Sequence, residues 1–174
     1  MNKSLLINQT SNKVEYYTPP FIIEGARKIL GEIDLDPASC DEANSVIKAK
    51  EFFTKEVDGL TKKWYGRVWM NHPFGKGQNN LWINKLISEW KSGNIEAACC
   101  ITYASTSERW FYPLLHYPQC FLFPRTQYYL PGWLPMNQVT KGSVITYLGP
   151  NLDKFAYVFS SFGVTKVYVQ GSNK

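Results

Sequence analysis

Val68-Trp69-Met70-Asn71-His72-Pro73-Phe74-Gly75 opens as a short apolar run and stops abruptly at an amide, a His-Pro pair, an aromatic and a glycine. This pattern predicts a buried strand that runs out into a tight loop at its carboxyl end. In an open α/β sheet ligands bind at that end, so Asn71 and Phe74 would face a pocket. The loop offers an amide oxygen able to accept from an amino group, backbone carbonyls held rigid by Pro73, and an aromatic face on which a planar ring can stack. Such equipment suits an exocyclic amine. An Asn-x-Pro-aromatic tetrapeptide also arises by chance in an ordinary strand and turn, so the surrounding chain has to decide.

Upstream, Thr18 reads as an N-cap and Pro19 as the first position of a helix with Ile22, Ala26, Ile29 and Leu30 on one face, ended by Gly31. Residues 33–39 read as a short strand stopping at Asp36-Pro37, followed by the helical stretch 41–47. Residues 48–54 predict a second short strand, and Asp58-Gly59-Leu60 a turn. Downstream of the quoted stretch, Lys76 lies in a polar loop where a phosphate could meet it. Residues 81–90 predict a helix with Ile83, Leu86, Ile87 and Trp90 on one stripe, and 97–103 a strand buried on both faces. Ser105 and Glu108 have capping-box spacing and predict another helix, shortened by Pro113. Residues 120–124 read as a strand. The aperiodic stretch 125–141 is aromatic and basic, with Arg125, Tyr128, Tyr129, Trp133 and Lys141, and is long enough to imply a task. Residues 142–148 and 155–159 read as two strands of a closing antiparallel hairpin, and 164–169 as a last strand.

The order of these elements is that of a three-layer α/β domain with a mostly parallel sheet closed by an antiparallel hairpin. At 174 residues the chain suffices for one domain, here 15–174, preceded by an arm over 1–14. Its share of Trp and Tyr, 6 and 11 residues, suits sites that stack rings. A net charge of +5 permits an anionic partner without demanding one. Cys40, Cys99, Cys100 and Cys120 form no C-x-x-C and have only His72 and His116 beside them, so no metal site is expected and the thiols read as reduced, in a cytoplasm. No run reaches the roughly 18 to 20 apolar residues of a membrane span, and residues 1–9 lack the apolar core of a signal peptide.

Three stretches taken together resemble the small phage and prophage DNA N6-adenine methyltransferases, the small Dam-like enzymes. They are Tyr17-Thr18-Pro19-Pro20, Asp34-Leu35-Asp36-Pro37-Ala38-Ser39, and Asp58-Gly59-Leu60 followed by Trp64 through Phe74. The resemblance runs from about residue 15 to about residue 125. It implies a Rossmann-like class I methyltransferase, S-adenosylmethionine as methyl donor, and DNA as partner with the target adenine flipped from the duplex. By the same resemblance Tyr17, Thr18 and Pro19 would line the methionine end of the donor. Asp36, Pro37, Ala38 and Ser39 would form the turn after the first strand, and Asp58 with Leu60 would approach the donor's adenine. Asn71, His72, Pro73 and Phe74 would be the catalytic tetrapeptide, acting in a bacterial host cell, with self-protection against restriction as one role. Lys76, Arg125, Tyr128, Trp133 and Lys141 are the expected nucleic-acid contacts.

The family usually carries proline where this chain has His72. Three consequences stay open: a tolerated substitution, an altered activity or base (cytosine N4, or RNA), and a weakened or inactive protein that still binds DNA or donor. An unperturbed histidine would titrate between roughly pH 6 and 7.5 and, when protonated, would repel a cationic donor.

Overall fold

The computed structural model describes residues 16–75, 77–136 and 140–167. The first helix, α1 (Pro20–Leu30), buries Ile22, Ile23, Ala26, Ile29 and Leu30 and ends at Gly31, whose φ of +86° relieves the last turn. Pro19, not Thr18, occupies the N-cap, and no side chain caps the helix. The Thr18 hydroxyl is instead buried, with no hydrogen-bond partner among the described residues. The chain continues through β1 (Leu35–Asp36), α2 (Asp41–Ile47), β2 (Glu51–Phe52), a 3-10 turn over Gly59–Thr61, β3 (Gly66–Met70), α3 (Gln78–Lys91) and β4 (Ile95–Tyr103).

Two expectations fail beyond β4. The stretch opening at Ser105 forms turns with i to i+3 hydrogen bonds, followed by a 3-10 helix over Tyr112–His116, and no α-helix. Pro113 has no N–H to donate and sits in the first turn of the 3-10 helix, where none is needed, so an α-helix opened at Ser105 cannot run on through it. After β5 (Gln119–Leu122), the small ribbon β6 (Tyr129–Leu130) and β7 (Leu134–Pro135), and β8 (Ser143–Leu148), residues expected as a strand form α4 (Leu152–Phe159). Phe155 and Phe159 are buried one helical turn apart, while Tyr157 between them is 83% exposed; a strand would have put all three on one face. Phe155 stacks on Tyr147 at 5.2 Å, and Phe159 lies against Gly25 of α1. The sheet is therefore not closed by a terminal hairpin. A final strand, β9 (Gly163–Lys166), is described; residues 168 and 169 of the expected strand lie outside the described residues, as does the arm 1–14.

The sheet order is β2-β1-β3-β4-β8-β5-β9. Strands β2, β1, β3 and β4 run parallel, β8 is inserted antiparallel between β4 and β5, and β9 is antiparallel at the edge. This is a mixed α/β fold compatible with a Rossmann-like arrangement. One core lies under α1, α2 and α4 and takes Trp69, Cys99 and Ile101; the other lies under α3 and takes Val68, Met70 and Cys100. At the amino ends of the strands Asp34 receives the Arg67 side chain at 2.7 Å, the Arg67 N–H at 2.9 Å and Lys50 at 2.9 Å. Burial alone would raise the Asp34 carboxyl, but these partners hold it well below the usual carboxylate range. The clamp fixes β1, β2 and β3 in register and sets their carboxyl ends side by side. No helix among the described residues is long and apolar enough to cross a membrane.

Candidate active site

Chain direction across the sheet reverses between β1 and β3, since β1 leads outward to β2 while β3 leads the other way to β4. The crevice outside such neighbouring carboxyl ends is where α/β sheets bind ligands. Asp36 ends β1 and Asn71 follows β3, on adjacent strands. Asp36 is 1% exposed; its Oδ1 accepts the Ala38 N–H at 3.1 Å and its Oδ2 has no partner among the described residues. Burial pushes its carboxyl up to about 7, against the pull of the Ala38 N–H and of the Ser39 hydroxyl, which comes near without making a hydrogen bond.

The turn Pro37-Ala38-Ser39 is braced from two sides. Ser39 N–H donates to the Phe53 carbonyl at 2.9 Å. Gly59 presses on the other side so closely that a Cβ there would lie 2.0 Å from the Pro37 carbonyl oxygen. Asp58 takes a left-handed backbone, φ +53°, and its Oδ1 accepts the Leu60 N–H at 3.2 Å; Trp64 Nε1 holds the Gly59 carbonyl at 2.8 Å. The two segments expected to share a ligand thus meet through a glycine.

The 16–19 segment crosses the end of β3. Tyr17 pairs with Tyr129 through both backbone bonds, and its hydroxyl donates to Glu42 at 3.0 Å beside Cys40 Sγ at 3.4 Å. Burial, then these two neighbours, push the Tyr17 hydroxyl far above its ordinary value. Glu42 also accepts the Gly132 N–H at 2.6 Å, which ties the β6–β7 ribbon to α2. Just upstream, the Tyr16 carbonyl accepts Asn71 Nδ2 at 2.6 Å. That bond settles which end of the amide is committed: Oδ1 is left buried and unpartnered among the described residues.

His72 corrects the expectation of a titration between pH 6 and 7.5. Side chains alternate along the strand and its continuation, so Asn71 follows Trp69 toward the α1 layer while His72 follows Met70 toward α3. Its ring is 1% exposed, bonds Asn79 Oδ1 through Nε2 at 2.8 Å, and lies 6.4 Å from the Trp82 ring. Burial lowers its pKa to about 4, opposed only in part by Asn79, so the imidazole is neutral throughout the physiological range. Linkage gives the two shifts opposite signs. Between pH 4 and 6.5 the unfolded chain binds more protons at His72, so this site makes stability rise with pH. Between 3.8 and 7 the folded chain binds more at Asp36, so that site makes stability fall.

Pro73 is exposed and Phe74 half-buried. The Phe74 ring packs on Tyr103 at 4.5 Å and edge-on to Tyr128 at 6.4 Å and His72 at 5.2 Å. Lys141 Nζ lies 5.2 Å above the Tyr103 ring, on the margin of the same aromatic group. Tyr128 is a core residue, 1% exposed, with its hydroxyl against Ser143 at 2.9 Å. It supports Phe74 and offers no face to a base, contrary to expectation. Trp133 is half-buried between Tyr17 at 5.2 Å and Tyr129 at 5.7 Å. Arg125 is exposed on a separate groove of about 450 Å³ shared with Pro19, Phe21, Phe123 and Phe162. Lys76 lies outside the described residues. Sequence reading passed over Tyr16, Glu42, Asn79 and Tyr103; of these only Tyr16, in Tyr16-Tyr17-Thr18-Pro19, adjoined a recognised motif.

Thr18 Oγ1, Asp36 Oδ2 and Asn71 Oδ1 are thus buried polar atoms with no partner among the described residues, on the 16–19 segment that Asn71 holds and at the carboxyl ends of the neighbouring strands β1 and β3. Buried polar groups are otherwise almost always bonded, so each exception calls for an explanation, a role in chemistry or a bound group among them. No curated protein matches the chain. Residues 8–119 of the 174 match the DNA N-6-adenine-methyltransferase (Dam) family, and the chain belongs to that family.

Proposed function

We propose that the protein methylates the exocyclic N6 amine of adenine in DNA, with S-adenosylmethionine as donor, in the manner of the small phage and prophage enzymes its motifs resemble. The observation that carries this reading is the Asn71 amide: Nδ2 is committed to Tyr16 and the buried Oδ1 has no partner among the described residues, with the half-buried Phe74 on the same loop. The adenine amine is a poor nucleophile because its lone pair is drawn into the ring. Accepting its hydrogens at Asn71 Oδ1 and at the neighbouring His72 carbonyl returns electron density to nitrogen. Phe74, backed by Tyr103 and Tyr128, is the stacking face for the flipped base. The donor supplies an already activated methyl group on a cationic sulfur. The residues fit such a donor: Asp36 Oδ2 and Thr18 Oγ1 are the unpaired groups that would hold its polar end, with Tyr17, Pro19 and the Pro37-Ala38-Ser39 turn around it, and Asp58 with Leu60 toward its base. Phosphates would meet Lys141, Arg125 and Lys76, with Trp133 at the margin. Incubation with labelled donor and adenine-containing duplex DNA, followed by nucleoside mass spectrometry, should reveal N6-methyladenine. Label in cytosine, or in RNA alone, would replace the substrate, and no transfer to any nucleic acid would remove the enzyme reading.

Asp36 gives this proposal a pH signature. With its carboxyl near 7 in the free protein, a cationic donor binds the ionised form and releases the proton. Donor affinity should then rise with pH up to about 7 and level off above it, being about tenfold weaker at pH 6 than at pH 8. Calorimetry at those two pH values checks this, and Asp36→Asn should weaken binding and flatten the profile. A flat profile in the unsubstituted protein would take Asp36 out of the donor site.

A further inference from the structure

We propose that Asn79 is a positioning residue for the loop Asn71 to Phe74: by accepting the His72 Nε2–H it fastens the loop to the first turn of α3 and keeps the Asn71 amide oxygen aimed at the crevice. The proposal rests on the methyl-transfer reading above. The loop is gripped by side chains on its two opposite faces. Toward the α1 layer Asn71 Nδ2 donates to the Tyr16 carbonyl at 2.6 Å, and toward α3 the His72 ring meets Asn79 Oδ1 at 2.8 Å. Because side chains alternate, a grip on His72 fixes the peptide plane from which the Asn71 side chain projects the other way.

Asn79 is unusually placed for this task. The N-cap of α3 is Gly77, in a left-handed backbone at φ +81° and with no side-chain cap. An asparagine so near a helix start commonly bonds the free N–H groups of the first turn. Asn79 turns its amide outward to His72 instead. The ring it holds is seated between Phe74, at 5.2 Å and 78°, and Trp82, at 6.4 Å, which itself lies 6.1 Å from Trp64. His72 Nδ1, the other ring nitrogen, is buried and unpartnered among the described residues. Asn79 is thus the polar anchor of a ring otherwise held by packing. On the far side of the loop, Gly75 and Gly77 provide little stiffness, and their described backbone tie is the Gln78 N–H to the Gly75 carbonyl at 3.0 Å. A histidine lacks the ring closure by which proline fixes its own φ, and the His72–Asn79 bond supplies from outside the rigidity that the residue does not supply from within.

The test is a set of near-isosteric variants assayed with donor and adenine DNA. Asn79→Leu, which removes the acceptor and keeps the volume, should lower kcat about tenfold through misplacement of the amide, with donor Kd and the KM for DNA within about twofold. Asn79→Asp keeps the acceptor and should restore kcat to within about threefold. In a His72→Pro background Asn79→Leu should have no further effect, because proline fixes φ without a strut. A kcat for Asn79→Leu within twofold of the unsubstituted protein, or an equal loss in the proline background, overturns the proposal. NMR provides a second readout that does not depend on turnover. The Asn71 side-chain amide should give one sharp, slowly exchanging pair in the unsubstituted protein and a broadened or split pair in Asn79→Leu, and identical spectra overturn the positioning role. If the unsubstituted protein transfers no methyl group, the functional reading fails on that result alone, and the NMR comparison still decides the strut.

Discussion

Replacing Asn71 with alanine is expected to lower methyl transfer about a thousandfold or more while leaving donor affinity within about twofold. The size follows from the role proposed for the side chain: a preorganised acceptor aimed at a developing charge is among the largest single contributions a residue makes to catalysis. The selectivity follows from geometry. Asn71 is held by the Tyr16 carbonyl from one side, and its oxygen, without a partner among the described residues, follows the end of β3, whereas the groups proposed for the donor sit on the turn after β1 and on the 16–19 segment. Single-turnover transfer measured beside donor calorimetry separates the two effects. Asn71→Asp is the informative companion. It keeps an oxygen but loses the Nδ2 donor to Tyr16, so two acceptors face each other and the carboxylate must rotate or protonate. An aspartate variant as inactive as alanine would show that the Tyr16 bond matters as much as the free oxygen. If Asn71→Ala retains turnover within tenfold of the unsubstituted chain, the amide does not carry the reaction.

Local chemistry made part of this site legible in the sequence. The end of β3, the α2 segment 41–47, the stop at Gly31 and the turn at 58–60 are each signalled within a few residues by a glycine, a proline or a change of period, and the structure places them accordingly. What was misread depends on partners distant in sequence. The run Phe155 to Phe159 fits a strand or a short helix equally well by composition, and the choice is made by packing on Tyr147 and Gly25. Tyr128 looks like a stacking residue until Ser143 and the core close around it. His72 has an ordinary titration in isolation and loses it through burial beside Trp82 and Asn79 on α3. Thr18 has the chemistry of an N-cap, yet Pro19 takes that position and the hydroxyl is left buried with no partner among the described residues. The misreadings at Thr18 and His72 both fall on the candidate site, where departures from local preference are expected.

Gly59→Ala is expected to destabilise the protein and to weaken donor binding with it. The new Cβ would stand 2.0 Å from the Pro37 carbonyl oxygen and 3.0 Å from its carbon, with the Phe53 ring at 3.3 Å, so relief requires moving backbone and not a side-chain tip. Neither segment can yield independently. Gly59 is anchored through its carbonyl to Trp64 Nε1, and Trp64 is fully buried; the facing turn is fixed by Ser39 to Phe53 and by Phe53 N–H to the Asp36 carbonyl at 3.0 Å. Overpacking of this kind costs about 1 to 3 kcal/mol of stability. The displacement would fall on the turn carrying Asp36 and on Asp58 to Leu60, so donor affinity should fall at least about tenfold in protein that is still folded. Gly93→Ala separates stability from binding. Gly93, beyond the end of α3, has φ +71° and open space around it, so alanine there strains the backbone by about 1 kcal/mol without touching the crevice. Calorimetry well below both melting temperatures should show the Gly93 variant binding donor as the unsubstituted chain does and the Gly59 variant binding weakly. Equal donor affinity in the two would mean that the contact between Gly59 and Pro37 serves the fold alone, and the donor would have to be placed away from the turn after β1.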